Sequence, residues 1–263
     1  MFNKRKIMIL CIDVGNTQIH CGVYSNEQLI AEARHATNDG ITSDAYGIFL
    51  KAILYEQNIN LKYIKQIIIS SVVPELDYQI TNACIRYLAL TPIFLNVENY
   101  KKIKNCKLPE SLGADRVANF ISATTLFPNK NLVIVDLGTA TTVCVISKNH
   151  ELLSGSIMPG LKTSAKALNS TTAKLPLIKI EKIDIGIVET TVDSIQIGLF
   201  YGHLGAIKEL TARFKSKFFA NEQSSVIATG GFSDIYKEEK IFEYIIPDLV
   251  LRGLYIYSQL IIS

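Results

Sequence analysis

Short apolar segments that alternate with turn-forming residues open the chain. Over residues 7–34, three such segments are separated by Gly-Asn and Ser-Asn-Glu, a pattern typical of a β-meander. Apolar residues then recur at helical spacing over residues 46–54, and a β-branched run over residues 67–73 stops at Pro74. The pattern therefore predicts antiparallel strands, a helix and a buried strand, in that order.

The next segments predict further helices and a returning strand. An apolar helical face over residues 76–88 is followed by a short strand at residues 92–95. A predicted loop containing the basic run 101–104 leads to a helix that begins at Gly113 and ends near Phe127. We expect residues 1–127 to form one domain.

After residue 127 the order of elements begins again. Strands over residues 132–136, 141–146 and 151–157 precede helical segments, a strand at 225–228 and an amphipathic helix at 249–261. A long helix over residues 190–217 carries Gly198, Gly202 and Gly205 on one face, which we expect to permit close backbone packing. Residues 12–17 and 135–140 match as strands that end in Asp-x-Gly-x. The sequence therefore predicts a second, related domain over residues 128–263.

The composition narrows the class of protein and its partners. With 48% hydrophobic and 19% charged residues, the 263-residue chain is too apolar to be disordered. The formal charge is +3, and no basic run interleaves with aromatic residues as in a nucleic-acid surface. The basic runs 4–6 and 101–104 are interpreted as solvated surface. Nucleic acid is therefore not expected as a partner.

Cysteine spacing and the first apolar segment indicate the compartment. The five cysteines are odd in number and have no CxxC spacing, so neither a disulfide framework nor a zinc site is indicated. The apolar run 7–12 stops at Asp13, too early for a signal segment or a membrane span. We expect a cytoplasmic protein without a membrane partner, and Met8 is a second candidate for its start.

The first Asp-x-Gly turn has the residues that a phosphate site needs. Gly15 can bend the backbone towards a phosphate, while Asn16, Thr17 and backbone N–H groups supply donors. Asp13 would face the Mg²⁺ that accompanies a nucleotide. An ordinary hairpin turn has the same composition, so this turn alone leaves both interpretations open.

Two later glycine turns strengthen the nucleotide interpretation. Residues 136–142 offer a carboxylate, a glycine and three threonine hydroxyls, which would clamp the same polyphosphate. Thr229-Gly230-Gly231 follows a strand, where glycines leave room for a flat adenine or ribose. A plain strand-to-helix turn is the alternative for this third turn.

Three glycine turns in this order, after strands of matching halves, resemble the actin, hexokinase and Hsp70 superfamily of ATP-binding folds. The sequence has no GxxxxGK[ST] P-loop and no kinase-type GxGxxG. Within the superfamily the chain resembles type III pantothenate kinases from Met8 onward, most specifically through Gly113-Ala114-Asp115-Arg116 after a proline. The other segments that carry the resemblance are residues 13–17, 109–112, 136–142, 159–160, 191–198 and 229–231.

The resemblance implies a fold, an activity and a set of partners. The fold is α/β, with two ribonuclease H-like domains of duplicated βββαβαβα order and an ATP cleft between them. The activity is phosphorylation of the 4′-hydroxyl of pantothenate, the first step of coenzyme A biosynthesis. The cofactors are ATP with Mg²⁺ and a monovalent cation, K⁺ or NH₄⁺, and the family implies a homodimer.

The resemblance also assigns roles residue by residue. ATP contacts are implied for Asp13, Val14, Gly15, Asn16, Thr17, Gln18, Ile19, His20, Thr139, Gly230 and Gly231. Pantothenate contacts are implied for Gly113, Ala114, Asp115, Arg116 and Thr191, with Asp115 as the catalytic base. Asp136 would hold the monovalent cation, and Asp13 the Mg²⁺ of the nucleotide, directly or through water.

The residue types at this segment fit that chemistry, although another interpretation exists. A primary alcohol needs a carboxylate to take its proton as the bond to the γ-phosphorus forms. Without the resemblance, the preferred interpretation of Asp115 is an acidic residue favoured by the dipole at a helix N-terminus, with Arg116 as a surface partner.

One position departs from the family pattern. Cys106 stands where the family usually has a tyrosine of the substrate pocket, so the contacts with pantothenate change there. The cysteine leaves a roomier pocket, or another residue such as Tyr100 fills the gap. Two rival functions follow: a kinase or phosphatase for another small molecule, and a nucleotide-binding regulator without catalysis. The second predicts loss of Asp13, Asp115 or Asp136, and all three are present.

Overall fold

The computed structural model describes residues 7–38, 40–104, 106–186 and 188–261. The chain forms two compact units. The first comprises the described residues up to Thr125 together with those from Leu249 onward, and the second comprises the described residues from Leu126 to Asp248. The basic run at residues 4–6 lies outside the described residues.

The first unit is built on a five-stranded mixed sheet of order β3-β2-β1-β4-β5. Its strands are β1 (Met8–Val14), β2 (Gln18–Ser25), β3 (Gln28–Ala36), β4 (Ile64–Ser71) and β5 (Ile93–Phe94). The first three pair antiparallel, and β4 and β5 run parallel to β1. Parallel neighbours require crossover connections, which α1 (Ser43–Glu56) and α2 (Pro74–Leu88) supply.

The two faces of the first sheet are covered by different helices. Met8, Leu10, Ile12 and Val14 alternate along β1 and share one core with α1 and α2. The other face meets α7 (Leu249–Leu260), which contacts β1, β2 and β4. The remaining helices of this unit are α3 (Val97–Ile103) and α4 (Ala114–Leu126), and a short 3₁₀ helix spans Leu61–Tyr63.

The second unit has a sheet of equivalent order, β10-β9-β6-β7-β8. Its strands are β6 (Asn131–Leu137), β7 (Ala140–Ile146), β8 (Leu152–Pro159), β9 (Ser224–Thr229) and β10 (Tyr244–Ile245). Again three strands form an antiparallel meander, and two run parallel to the first of them. The helices are α5 (Leu161–Thr171) and α6 (Thr191–Phe219), with a 3₁₀ helix at Ser233–Glu239. Phe200, Leu204 and Ile207 of α6 pack into its core.

The predicted meander and the main helices and strands are confirmed, but three expectations are corrected. The predicted loop at residues 101–104 belongs largely to α3, which the Asn96 side chain caps by accepting from the N–H of Asn99. Pro74 ends no element; it opens α2, where its missing N–H needs no partner. Apart from the surrounding backbone of α6, no described atom lies within 4 Å of a Cβ built at Gly198, Gly202 or Gly205, so these glycines make no close packing contact with the described part of this chain.

The last helix differs from the predicted domain division, because it packs on the first unit and not on the second. Tyr255 stacks on Tyr24 at 4.8 Å, and a Cβ at Gly253 would overlap the backbone of Ala118 in α4. Burial of its apolar face, including Leu249, Leu251 and Leu254, holds α7 there. None of the helices in the described part of the chain combines the length and apolarity needed to cross a membrane.

Candidate active site

The turn between β1 and β2 is a tight hairpin at the carboxyl end of β1. The N–H of Gly15 donates to the carbonyl of Gln18 at 3.0 Å, and the Thr37 hydroxyl donates to the carbonyl of Gly15 at 2.6 Å. A Cβ at Gly15 would lie 3.1 Å from that Gln18 oxygen, so any larger residue crowds the turn. Asn16 and Gln18 are exposed, and Thr17 is half-buried. Polar groups therefore surround a backbone that a ligand can approach.

The residues around this turn divide into core and site residues. Val14 and Ile19 are buried in the core, so ATP contacts from these two positions would come from the backbone. Asp13 is half-buried on the face opposite α1 and α2, and its register partners are His20 on β2 and Ser70 on β4. The His20 Nε2 atom lies 3.1 Å from an oxygen of Glu32, which fixes the ring beside the turn.

Asp115 lies at the same edge of the first sheet. It occupies the first turn of α4, and its Oδ1 accepts from the N–H of Arg116 at 2.7 Å. A Cβ at Gly113 would lie 2.6 Å from that oxygen and 3.6 Å from a methyl of Val72. Val72 in turn donates its N–H to the carbonyl of Val14, at the end of β1. The first unit thus brings the Gly113–Arg116 segment close to the turn between β1 and β2, which we call the Asp13 turn. Both lie at the edge of the sheet where β1 has its carboxyl end.

The electrostatic environment of Asp115 favours a proton acceptor. Burial raises the pKa of Asp115 above its ordinary value, while the N–H and the charge of Arg116 act in the opposite direction. The net shift is upward, which makes the carboxylate a stronger base than an exposed aspartate. Ala114 is buried beside it, and Arg116 is half-buried.

In the second unit, the turn between β6 and β7, which we call the Asp136 turn, packs directly against two other turns, one containing Gly160 and one containing Gly230. Gly230 has a φ of 88°, and a Cβ there would lie 2.5 Å from the Asp136 Oδ1 and 2.8 Å from the Leu137 nitrogen. Gly160 donates its N–H to the carbonyl of Thr139 at 3.0 Å, and a Cβ on Gly160 would overlap the carbonyls of Gly138 and Thr139. The structure therefore brings Asp136, Gly138, Thr139, Gly160 and Gly230 together.

The three threonines of this turn do not act alike, which corrects the expectation of a three-hydroxyl clamp. Thr139 is exposed, whereas Thr141 is fully buried and its hydroxyl lies 2.9 Å from the Nε2 of His203. Thr142 is half-buried. The Thr141 hydroxyl is thus engaged with a side chain of α6, and burial lowers the pKa of His203, which favours its neutral form.

Thr191 begins α6 in the second unit and is exposed. The preceding Thr190 forms a capping box with Asp193, in which each side chain accepts from the other residue's backbone N–H. This fixes the first turn of α6 and with it the position of Thr191.

Cys106, which replaces the tyrosine usual in the family, lies near another tyrosine that is buried. Tyr100 of α3 is buried, and its ring meets Phe120 of α4 edge-on at 6.3 Å. Burial raises the pKa of Tyr100 to about 12, and the Cys106 thiol acts in the same direction. The Cys106 side chain itself is half-buried. The Tyr100 ring therefore belongs to the core of the first unit.

The site residues described so far suit a nucleotide with its metal. Glycines let the backbone of both Asp-x-Gly turns come close to a ligand, and Gly231 has no described neighbour within 4 Å of a built Cβ. Asp13 and Asp136 each lie next to the last residue of a buried strand and offer carboxylate oxygens, the ligands that Mg²⁺ prefers. Glu32 and Ser70 are not among the site residues predicted from the sequence, although both lie on the alternating face that carries Asp13.

The fold has recognisable counterparts among solved structures. One is a Campylobacter jejuni protein described as a Baf family transcriptional activator, with a TM-score of 0.57, 20% identity and coverage of 95% of this chain and 98% of that one. Another is the activator of 2-hydroxyisocaproyl-CoA dehydratase from Clostridium difficile with bound ADPNP, with a TM-score of 0.50, 14% identity and coverage of 98% and 97%. The chain is an α/β protein with two mixed sheets, and its structural neighbours have the actin-like ATPase fold.

Closer relatives identify the family. A model of the type III pantothenate kinases matches residues 9–213. The type III pantothenate kinase of Legionella pneumophila strain Paris is 44% identical over 249 residues, which cover 94% of this chain and 96% of the relative. Type III pantothenate kinase 1 of Francisella tularensis subsp. holarctica strain OSU18 is 41% identical, with 96% and 99% covered. The chain belongs to the type III pantothenate kinase family.

Proposed function

We propose that this protein transfers the γ-phosphoryl group of ATP to the 4′-hydroxyl of pantothenate, giving 4′-phosphopantothenate for coenzyme A biosynthesis. Membership of the family and the names of its relatives support this activity. The observation that carries the proposal is that Asp115 and the Asp13 turn lie at one edge of the first sheet. A base and a phosphate-binding turn there serve one reaction.

The proposed nucleotide contacts come from the three glycine turns of the chain. Asp13, Gly15, Asn16, Thr17, Gln18 and His20 would contact the phosphates, with Val14 and Ile19 contributing backbone groups. Thr139, Gly230 and Gly231 would contact ATP from the second unit. Asp13 would hold Mg²⁺, directly or through water, and Asp136 a K⁺ or NH₄⁺ ion. The positive charge of these two cations would neutralise charge on the phosphate oxygens during the transfer.

The reaction requires the protein to accept one proton, that of the 4′-hydroxyl. As the 4′-oxygen forms its bond to the γ-phosphorus, Asp115 accepts the hydroxyl proton, and the bond to the β-phosphate oxygen breaks to leave ADP. Gly113, Ala114, Arg116 and Thr191 would line the pantothenate pocket, where Arg116 suits charge-assisted hydrogen bonds to the substrate carboxylate. The raised pKa of Asp115 supports its role as the base.

The finer features of fold and assembly are part of the same proposal. We infer that both halves are ribonuclease H-like duplicates, and the equivalent orders of their sheets support this. We infer also a cytoplasmic homodimer that needs neither nucleic acid nor membrane.

The test is ADP release from ATP and Mg²⁺, with and without pantothenate, in potassium and then in sodium buffer. Turnover that requires pantothenate and is faster in potassium is the expected result. Pantothenate-independent ADP release, or binding of ATP with no turnover in either buffer, would contradict the assignment of substrate. A panel of other small alcohols would then show whether Cys106 accompanies a different acceptor.

A further inference from the structure

Two neighbouring serines at the end of β4 have different surroundings. The Ser71 hydroxyl donates to Asp77 of α2 at 2.5 Å and accepts from the N–H of Val73 at 3.3 Å. The Ser70 side chain points to the opposite face and has no exposed surface. No described residue provides a hydrogen-bond partner for the Ser70 hydroxyl. Ser71 therefore has a structural role, and Ser70 has an unused polar group.

Ser70 is the neighbour of Asp13 in the sheet. The two residues are register partners on the parallel strands β1 and β4, so their side chains leave the sheet on the same face. On the other side of Asp13, the register partner is His20, whose ring is held by Glu32. Asp13 thus lies between a histidine and a serine at the edge that also carries Asp115.

A buried hydroxyl without a partner costs folding free energy, and such groups need an explanation. Alanine would fit a strand position of this size without that cost. Neighbouring strands lie about 4.8 Å apart, so rotation about one side-chain bond brings a serine hydroxyl within reach of the adjacent carboxylate. A partner that becomes engaged only when ligand is bound would account for the unused group.

We propose that Ser70 is a positioning residue of the nucleotide site, whose hydroxyl donates to one Asp13 oxygen when Mg²⁺·ATP is bound. The bond leaves the second Asp13 oxygen directed at the metal or its water shell. This inference rests on the proposed ATP site. It concerns the orientation of Asp13, and Ser70 itself contacts neither the phosphates nor the acceptor.

The test compares two serine-to-alanine variants of the full chain by calorimetric titration with ATP. Ser25 is the matched control, because it is also buried, has no hydrogen-bond partner among the described residues and lies on β2 opposite Met8, at the far end of β1. We expect Ser70→Ala to weaken binding of Mg²⁺·ATP about tenfold, the scale of a hydrogen bond to a charged group. Metal-free ATP, titrated in the presence of a chelator, should bind within about twofold of wild type, as no metal then depends on Asp13.

A double-mutant cycle tests whether Ser70 acts through Asp13. If it does, adding Ser70→Ala to Asp13→Asn causes no further loss of Mg²⁺·ATP affinity. Additive losses, an equal loss in Ser25→Ala, or unchanged Mg²⁺·ATP binding in Ser70→Ala would each overturn the proposal. Because these readouts are binding constants, they stand apart from the substrate assignment: a wild-type protein without pantothenate-dependent turnover would refute the proposed function and leave this inference to be judged on ATP alone.

Discussion

At the scale of residues, Asp115 combines a role in the proposed chemistry with an unfavourable environment for a charge. We expect Asp115→Asn to lower turnover by roughly 10²-fold or more, the usual loss for a general base, because the amide cannot accept the proton. Binding of ATP should remain close to that of wild type. Steady-state kinetics and ATP titration measure the two quantities. Glu56→Gln, at an exposed position of α1 outside the segments that carry the family resemblance, is the control and should keep wild-type turnover; turnover near wild type in Asp115→Asn would remove Asp115 from its role.

The same substitution has a predicted effect on stability. The pKa of Asp115 is raised in the folded protein, so the folded state holds its proton more tightly than the unfolded state. The stabilisation from this proton is complete below the unfolded pKa and is lost as pH rises through the folded pKa. At neutral pH, Asp115→Asn should therefore raise Tm, on the order of 2 °C. Melting curves should show this gain shrinking as the buffer is acidified, and a gain that grows on acidification would contradict the cause given.

Sequence patterns predict poorly how deeply a single side chain is buried and which residue is its hydrogen-bond partner. The Asp-x-Gly turns could be found from residue types and spacing, whereas the roles of the Gly-Ala-Asp-Arg segment and of Thr139 are implied only by the family resemblance. The pairing of Thr141 with His203 could not be found, because the two residues lie on different elements, 62 positions apart. Ser70 likewise could not be recognised from the sequence, because it lies within a β-branched run. Its position beside Asp13 follows only from the register of β1 and β4.

At the scale of elements, the turn after β9 requires a glycine at one position and tolerates another residue next to it. Gly230 has a positive φ and a Cβ there would crowd Asp136 and Leu137, whereas Gly231 has open space among the described residues. Gly230→Ala should destabilise the protein by roughly 1–3 kcal/mol. Gly231→Ala, the matched control, should change stability by less than about 0.5 kcal/mol. Denaturant unfolding measures both, and equal losses would show that the turn is not held as described.

Elements with long periodic patterns could be predicted, and short ones could not. The meander, α1, α2, α4 and α6 follow from period-two and helical spacing, since burial of one face repeats over many residues. The seven-residue α3 has too few turns for such a pattern, and its lysines suggested a loop. Its cap and the ion pair between Glu98 and Lys102 at 2.7 Å are the signals that could have revealed it.

At the scale of the whole molecule, the matching halves could be inferred from the repeated Asp-x-Gly strands, and the equal sheet orders agree with that inference. The place of α7 could not be inferred. An amphipathic helix shows that it buries one face but does not show against which sheet. Gly198, Gly202 and Gly205 form an exposed line on α6, the glycine line, which no described part of this chain covers. Its packing partner is therefore a question about the whole molecule and its assembly.

We expect the glycine line of α6 to form the interface of the proposed homodimer, and this can be tested. In isolation, glycines in a helix interior cost stability, which a close contact with a second chain would offset. We expect light scattering to give about twice the 29.2 kDa chain mass for wild type. Gly202→Leu should shift the protein towards monomer because the side chain would hold the second helix away. Lys217→Leu, exposed near the end of the same helix and away from the glycine line, should leave the mass unchanged. A dimer that survives Gly202→Leu would place the interface elsewhere on the chain, and a monomeric wild type would refute the homodimer itself.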